Sequence, residues 1–97
     1  MIPTDVLMYI ARAFPPGEQE EALALLEAAT IHDGSAPGDR LWRCAVVASR
    51  GSLDRLRMEV DTLRVDYRDV IVAGEYVSVD GELVWIRDLN EPIPDDV

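Results

Sequence analysis

The chain has no lysine at all, and its 97 residues include one histidine, one cysteine and one phenylalanine. A single cysteine excludes an internal disulfide. With only His32, Asp33 and Cys44 as candidate soft or mixed ligands, no spaced metal-binding pair can be drawn, and His32 reads as a loop residue. Cys44 sits in an apolar segment, where a thiol is inert packing. Ser35, Ser49, Ser52 and Ser78 have no histidine at a spacing that would mark a nucleophile. The loop Gly34–Asp39 matches neither phosphate-binding glycine pattern. The longest apolar runs, residues 44–48 and 70–74, are far too short to cross a bilayer. Residues 1–5 lack a basic stretch leading into a long apolar run, so no signal peptide is expected. These absences point to a cytoplasmic, non-enzymatic chain without cofactor, metal or membrane span.

What is present is enough apolar material to fold. At 48% hydrophobic and 29% charged, the composition is that of a globular protein, not a disordered one. The length suits one domain, residues 1–97, with a modest core. All nine cations are arginine, against 19 acids, for a net charge of −10. The charge is uneven: residues 1–36 carry −5, residues 37–69 carry +1 and residues 70–97 carry −6. Acidic ends repel a phosphate backbone, so nucleic acid is not an expected partner. Gly51 between two helical segments invites a helix-turn-helix reading. That register would bury the charged Asp54 and Arg57, and it fails.

The spacing predicts helices along most of the chain. Val6, Ile10 and Ala13 form one face of a first helix, with Leu7 and Phe14 beside it, Thr4 as its cap and Pro15-Pro16 as its end. A second helix begins at Glu18 and carries Leu23, Leu26 and Thr30 on a stripe, with three acids at its positive end. A third runs from an Asp39 cap to Arg50. It is apolar or small apart from Arg40, Arg43 and Arg50, and so should be buried on most sides. Gly51 fits the left-handed position after it, and Ser52 caps the next helix at once.

The longest periodic stripe is Leu53, Leu56, Val60, Leu63, Tyr67, Val70 and Gly74. A second apolar set, Met58, Val65 and Val72, lies roughly opposite. One straight helix buried on both faces is less plausible than a break, and Asp66 has the character of a new N-cap, with Asp69 in its first turn. The break is therefore expected near 65–66. After Tyr76 the period changes. Asp80-Gly81 between two β-rich runs marks a two-residue hairpin over about residues 76–87. It pairs Tyr76 with Trp85, Val77 with Val84 and Val79 with Glu82. Residues 90–97 are expected to fray. The fold class is thus mainly α, a compact bundle of four to five short helices with a C-terminal β-hairpin.

Two candidate sites follow. The hairpin is apolar on both faces, so Tyr76, Leu83 and Trp85 are candidate interface residues. If the fourth helix were continuous, Arg57, Arg64 and Arg68 would lie in one sector around Asp61, beside Tyr67, and could hold a carboxylate or phosphate. A solvated face of local ion pairs explains the same spacing more simply.

Residues 50–76 resemble a group of short bacterial proteins that carries no assigned function. The shared marks are Gly51, Leu53, Asp54 and Leu56, then Asp66 to Val70, then Gly74-Glu75-Tyr76. The resemblance covers about a quarter of the chain and implies no activity or ligand. The functional expectation is a small protein-interaction domain that self-associates as a homodimer through the hairpin. Its charge suits a basic protein partner, as in immunity or antitoxin-like proteins. The alternative is a small-anion-binding or regulatory subunit using the arginine cluster.

Overall fold

The computed structural model describes all 97 residues. Five helices are followed by one antiparallel hairpin: α1 Thr4–Ala13, α2 Gln19–Ala28, α3 Asp39–Ser49, α4 Leu53–Val65, α5 Tyr67–Glu75, β1 Tyr76–Val79 and β2 Glu82–Trp85. The mainly helical class with its terminal hairpin is as expected from the periodicities. A 3-10 turn, Pro16–Glu18, leads into α2, so that helix starts one residue later than the run of acids suggests.

The third helix is the centre of the molecule. Every residue from Trp42 to Ser49 is buried, and α3 packs most extensively against α5 and α4, and less against α1. The core it organises includes Val6, Ile10 and Phe14 of the first segment, Leu26 of α2, Leu56 and Leu63 of α4, and Val70 of α5. Leu26, Leu56 and Leu63 are fully buried, and each stabilises the fold by about 1.5–3 kcal/mol through removal of apolar surface from water. The Trp42 indole N–H donates to the Leu26 carbonyl at 3.0 Å, which ties α3 to the end of α2.

The expected break is present. Helix α4 ends at Val65, Asp66 adopts extended backbone, and its carboxylate accepts from the Arg68 N–H at the start of α5. The interruption resolves the two opposed stripes. Leu56, Leu63, Val70 and Gly74 are buried, whereas Met58 and Val65, from the opposite set, are exposed. The Ser52 hydroxyl accepts from the Arg55 N–H, as its position predicted. Gly51, at φ 78°, packs its α-carbon against the Ala13 carbonyl, a place no side chain could share.

Three local expectations are corrected. Thr4 and Asp39 are not caps. Pro3 and Gly38 occupy those positions, and neither helix has a side-chain cap. At α1 the Pro3 carbonyl already receives the Val6 and Leu7 N–H groups, and Asp5 is engaged by Arg43. The second helix stops at Ala28, before Thr30, and buried Ala29 is extended. The tail is also tied down rather than frayed. Leu89 and Ile93 are in the core, the Ile93 N–H donates to Asp5 at 3.0 Å, and Arg12 donates to the Pro94 carbonyl at 3.0 Å.

The hairpin has the expected register, Tyr76 opposite Trp85, Val77 opposite Val84 and Val79 opposite Glu82. Asp80 and Gly81 have φ of 51° and 82°, the double left-handed turn that matches strand twist. Little of it is covered. Tyr76 is half-buried and every other strand residue is exposed.

Candidate functional site

A two-stranded hairpin is at best marginally stable alone, so something must hold this one. The residue responsible is Glu75. Helix α5 starts at the Asp66 cap and, nine residues later, must pass close to α3. A β-carbon on Gly74 would lie 2.7 Å from the Cys44 α-carbon, so only glycine permits that approach. The next side chain, Glu75, is thereby carried into the interior, where it is 0% exposed.

Four groups from three parts of the chain, α3, β2 and the tail, satisfy its carboxylate. Arg40 of α3 donates through Nε to Oε2 and through Nη2 to Oε1, both at 2.8 Å. The Trp85 indole N–H donates to Oε1 at 3.0 Å. The Leu89 backbone N–H donates to Oε2 at 3.3 Å, and the Cys44 thiol lies 3.5 Å from the same oxygen. Burial pushes the Glu75 pKa up, but the Arg40 fork and the Trp85 bond outweigh it and hold the carboxyl at about 2. Burial, with Glu75 beside it, drives the Cys44 thiol far up, so it is no nucleophile. The foot of the hairpin is completed by backbone: the Ile86 N–H donates to the Glu75 carbonyl at 2.8 Å, and Arg87 donates to the Gly74 carbonyl at 2.8 Å.

A second ion pair secures the tail. Arg43, only 8% exposed, donates to both oxygens of Asp5 at 2.9 and 3.1 Å and reaches the Asn90 carbonyl at 3.2 Å. Burial raises the Asp5 pKa, but the bonds from Arg43 and the Ile93 N–H leave it lowered overall. Both pairs follow from the burial of α3 on most sides: an arginine carried into such a helix must find a carboxylate.

The expected anion cluster is not assembled. The break at Asp66 separates Tyr67 and Arg68 from Arg57 and Arg64, and each arginine is taken by a nearby acid. Arg57 bonds Glu21 at 2.6 Å and Asp54 at 3.2 Å, and Arg64 bonds Asp61 at 3.0 Å. Arg68 grips Asp66, its own helix cap, at 3.0 and 3.3 Å. Tyr67 is half-buried, with its ring stacked on His32 at 6.1 Å. Tyr67, Arg68 and His32 border a shallow depression of about 270 Å³ that neither Arg57 nor Arg64 reaches.

The candidate interface residues do lie on one feature, but they differ in role. Leu83 is 61% exposed near the hairpin tip. Trp85, although 55% exposed, is anchored through its indole nitrogen. Tyr76 packs partly against the body. Six of the eleven exposed large apolar side chains, Val77, Val79, Leu83, Val84, Trp85 and Ile86, lie on this hairpin.

No cluster of three or more histidine, cysteine or acidic residues is arranged to hold a metal ion, and no helix is long and apolar enough to cross a membrane. No family model matches the chain, and no curated protein or solved structure matches it.

Proposed function

We propose that the chain is a small protein-interaction domain whose contact surface is the β1–β2 hairpin and whose first partner is a second copy of itself. The observation that carries this reading is an exposed apolar hairpin fixed at its foot by a buried carboxylate. Holding the hairpin in one orientation lowers the entropy lost on binding. Both outer strand edges are unpaired in this two-stranded sheet, and an open edge is a template for another strand. Two β2 strands paired antiparallel about Leu83 would set Leu83 opposite Leu83 and Glu82 opposite Val84 of the other copy, which keeps like charges apart. The role is binding in the cytoplasm, without catalysis. The acidic ends also suit a basic protein, in the manner of an immunity or antitoxin partner, bound by the surfaces that self-association leaves free.

The test is the oligomeric state. At about 100 μM, light scattering should give twice the mass of one chain, and Leu83→Asp should give a monomer with an unchanged circular dichroism spectrum. Leu83 makes no hydrogen bond through its side chain and is largely exposed, so the substitution spares the fold. A wild-type protein that stays monomeric at that concentration rules out the self-association.

A further inference from the structure

Arg40, Arg43, Arg57, Arg64 and Arg68 all form ion pairs with carboxylates. Of the other four arginines, three converge on one phenol, that of Tyr9. Arg12 lies over the Tyr9 ring at 5.1 Å. Arg50 and Arg87 line the same groove as Tyr9. In a chain of net charge −10, two of these guanidinium groups line a groove that has no aspartate or glutamate among its lining residues. Arg50 has no side-chain hydrogen bond. Arg87 and Arg12 spend one nitrogen each on the carbonyls of Gly74 and Pro94, which leaves donors free on both. Burial pushes the Tyr9 phenol pKa up, and Arg12, Arg87 and Arg50 pull against it.

The groove has about 440 Å³ of space, within the range of small-molecule sites. Apart from the two arginines and the tyrosines Tyr9 and Tyr76 its walls are apolar, among them Ala13, Val47, Ala73 and Ile86. Unpaired guanidinium groups favour a carboxylate or phosphate, which they can grip with two parallel bonds. Apolar walls favour a ligand with a hydrocarbon or aromatic body.

We infer that this groove binds a small amphipathic anion, its carboxylate or phosphate head held by Arg50, Arg87 and the Tyr9 hydroxyl, and its apolar body lying along Ala73 and Ile86. The site uses none of the arginines on α4, and it shares Tyr76, Val77 and Ile86 with the hairpin but not Leu83.

Calorimetric titration with octanoate and with phenyl phosphate tests it, with octanol as the body lacking a charge and acetate as the charge lacking a body. At least one amphipathic anion should bind, at least tenfold more tightly than either control. The double variant Arg50→Asn and Arg87→Gln should weaken that binding at least tenfold. Asparagine tolerates the left-handed backbone of residue 50, where φ is 51°. Ala73→Trp, at an exposed position on the rim, should block the groove and give the same loss without touching an arginine. Leu83→Asp should leave binding unchanged, so the dimer and the groove are judged separately. Absence of binding by both anions at millimolar concentration overturns the inference. So does undiminished binding in both the double variant and Ala73→Trp.

Discussion

Arg40 and Glu75 form a two-pronged ion pair, 2.8 Å on each side, in which the Glu75 side chain is fully buried and the Arg40 side chain is 37% exposed. The pair joins α3 to the end of α5, and its remaining acceptor capacity holds Trp85 and Leu89. A single side chain thus fixes where the hairpin leaves the bundle and where the tail re-enters it.

Glu75→Gln keeps the shape but loses the charge and one acceptor. It should cost about 2–4 kcal/mol, because it leaves Arg40 without its counter-charge and at least two of the donors around residue 75 unsatisfied. Urea unfolding measures the loss. The tryptophan emission of the native baseline should change as the Trp85 indole N–H loses its charged acceptor, while the Trp42 bond to the Leu26 carbonyl is untouched.

The pH dependence has a definite sign. The Glu75 carboxyl is held at about 2, below its ordinary value of 4.5. The ionised form is favoured by folding, so its stabilisation is complete above pH 4.5 and is lost as pH falls toward 2. Asp5, also lowered, acts in the same direction. Acid titration of the thermal midpoint should fall through this window, and Glu75→Gln should flatten the fall. An unchanged slope in the variant would locate the acid sensitivity elsewhere.

Gly74→Ala should destabilise by about 1–3 kcal/mol, as overpacking does in a tight core. The added carbon would meet the Cys44 α-carbon at 2.7 Å and the Cys44 carbonyl oxygen at 2.9 Å. These are backbone atoms with no rotamer to yield, so α5 must move away from α3. Gly17→Ala, where the added carbon meets nothing within 4 Å, is the matched control and should be close to neutral.

Salt separates the two kinds of partner. Two copies of a chain with net charge −10 repel each other, so raising sodium chloride from about 0.05 M to 0.5 M should tighten the homodimer by screening. A complex with a basic protein should weaken over the same range. Sedimentation at both salt concentrations reads the first effect directly. A homodimer that loosens with salt would mean that its contact is ionic and not the apolar hairpin.

Local features of the fold were legible because their signals are local. Asp66 marked a helix start, Ser52 marked another, and Asp80-Gly81 set the strand register. Glu75 was not legible as a node. It follows Gly74 at the end of a helix and is 35 residues from Arg40, so no periodic pattern links them. The available signal was indirect: a third helix buried on most sides carried Arg40 and Arg43, and each needed an acid from somewhere distant. Leu89 and Ile93 were missed for a related reason. They anchor a stretch with no helical or strand period, held by Asp5 and Arg12 of the first helix, Arg43 of the third and Glu75 of the fifth. The expected arginine cluster failed because it assumed the continuous helix that the Asp66 break itself denied.

The burial of Cys44 beneath Glu75 also makes the only thiol in the chain a reporter of motion. In the closed molecule it is shielded from solvent and held in its unreactive protonated form. A labelling reagent can reach it only when α5 lifts from α3. Its modification rate therefore counts those openings, and with them the moments at which the hairpin is no longer held in place.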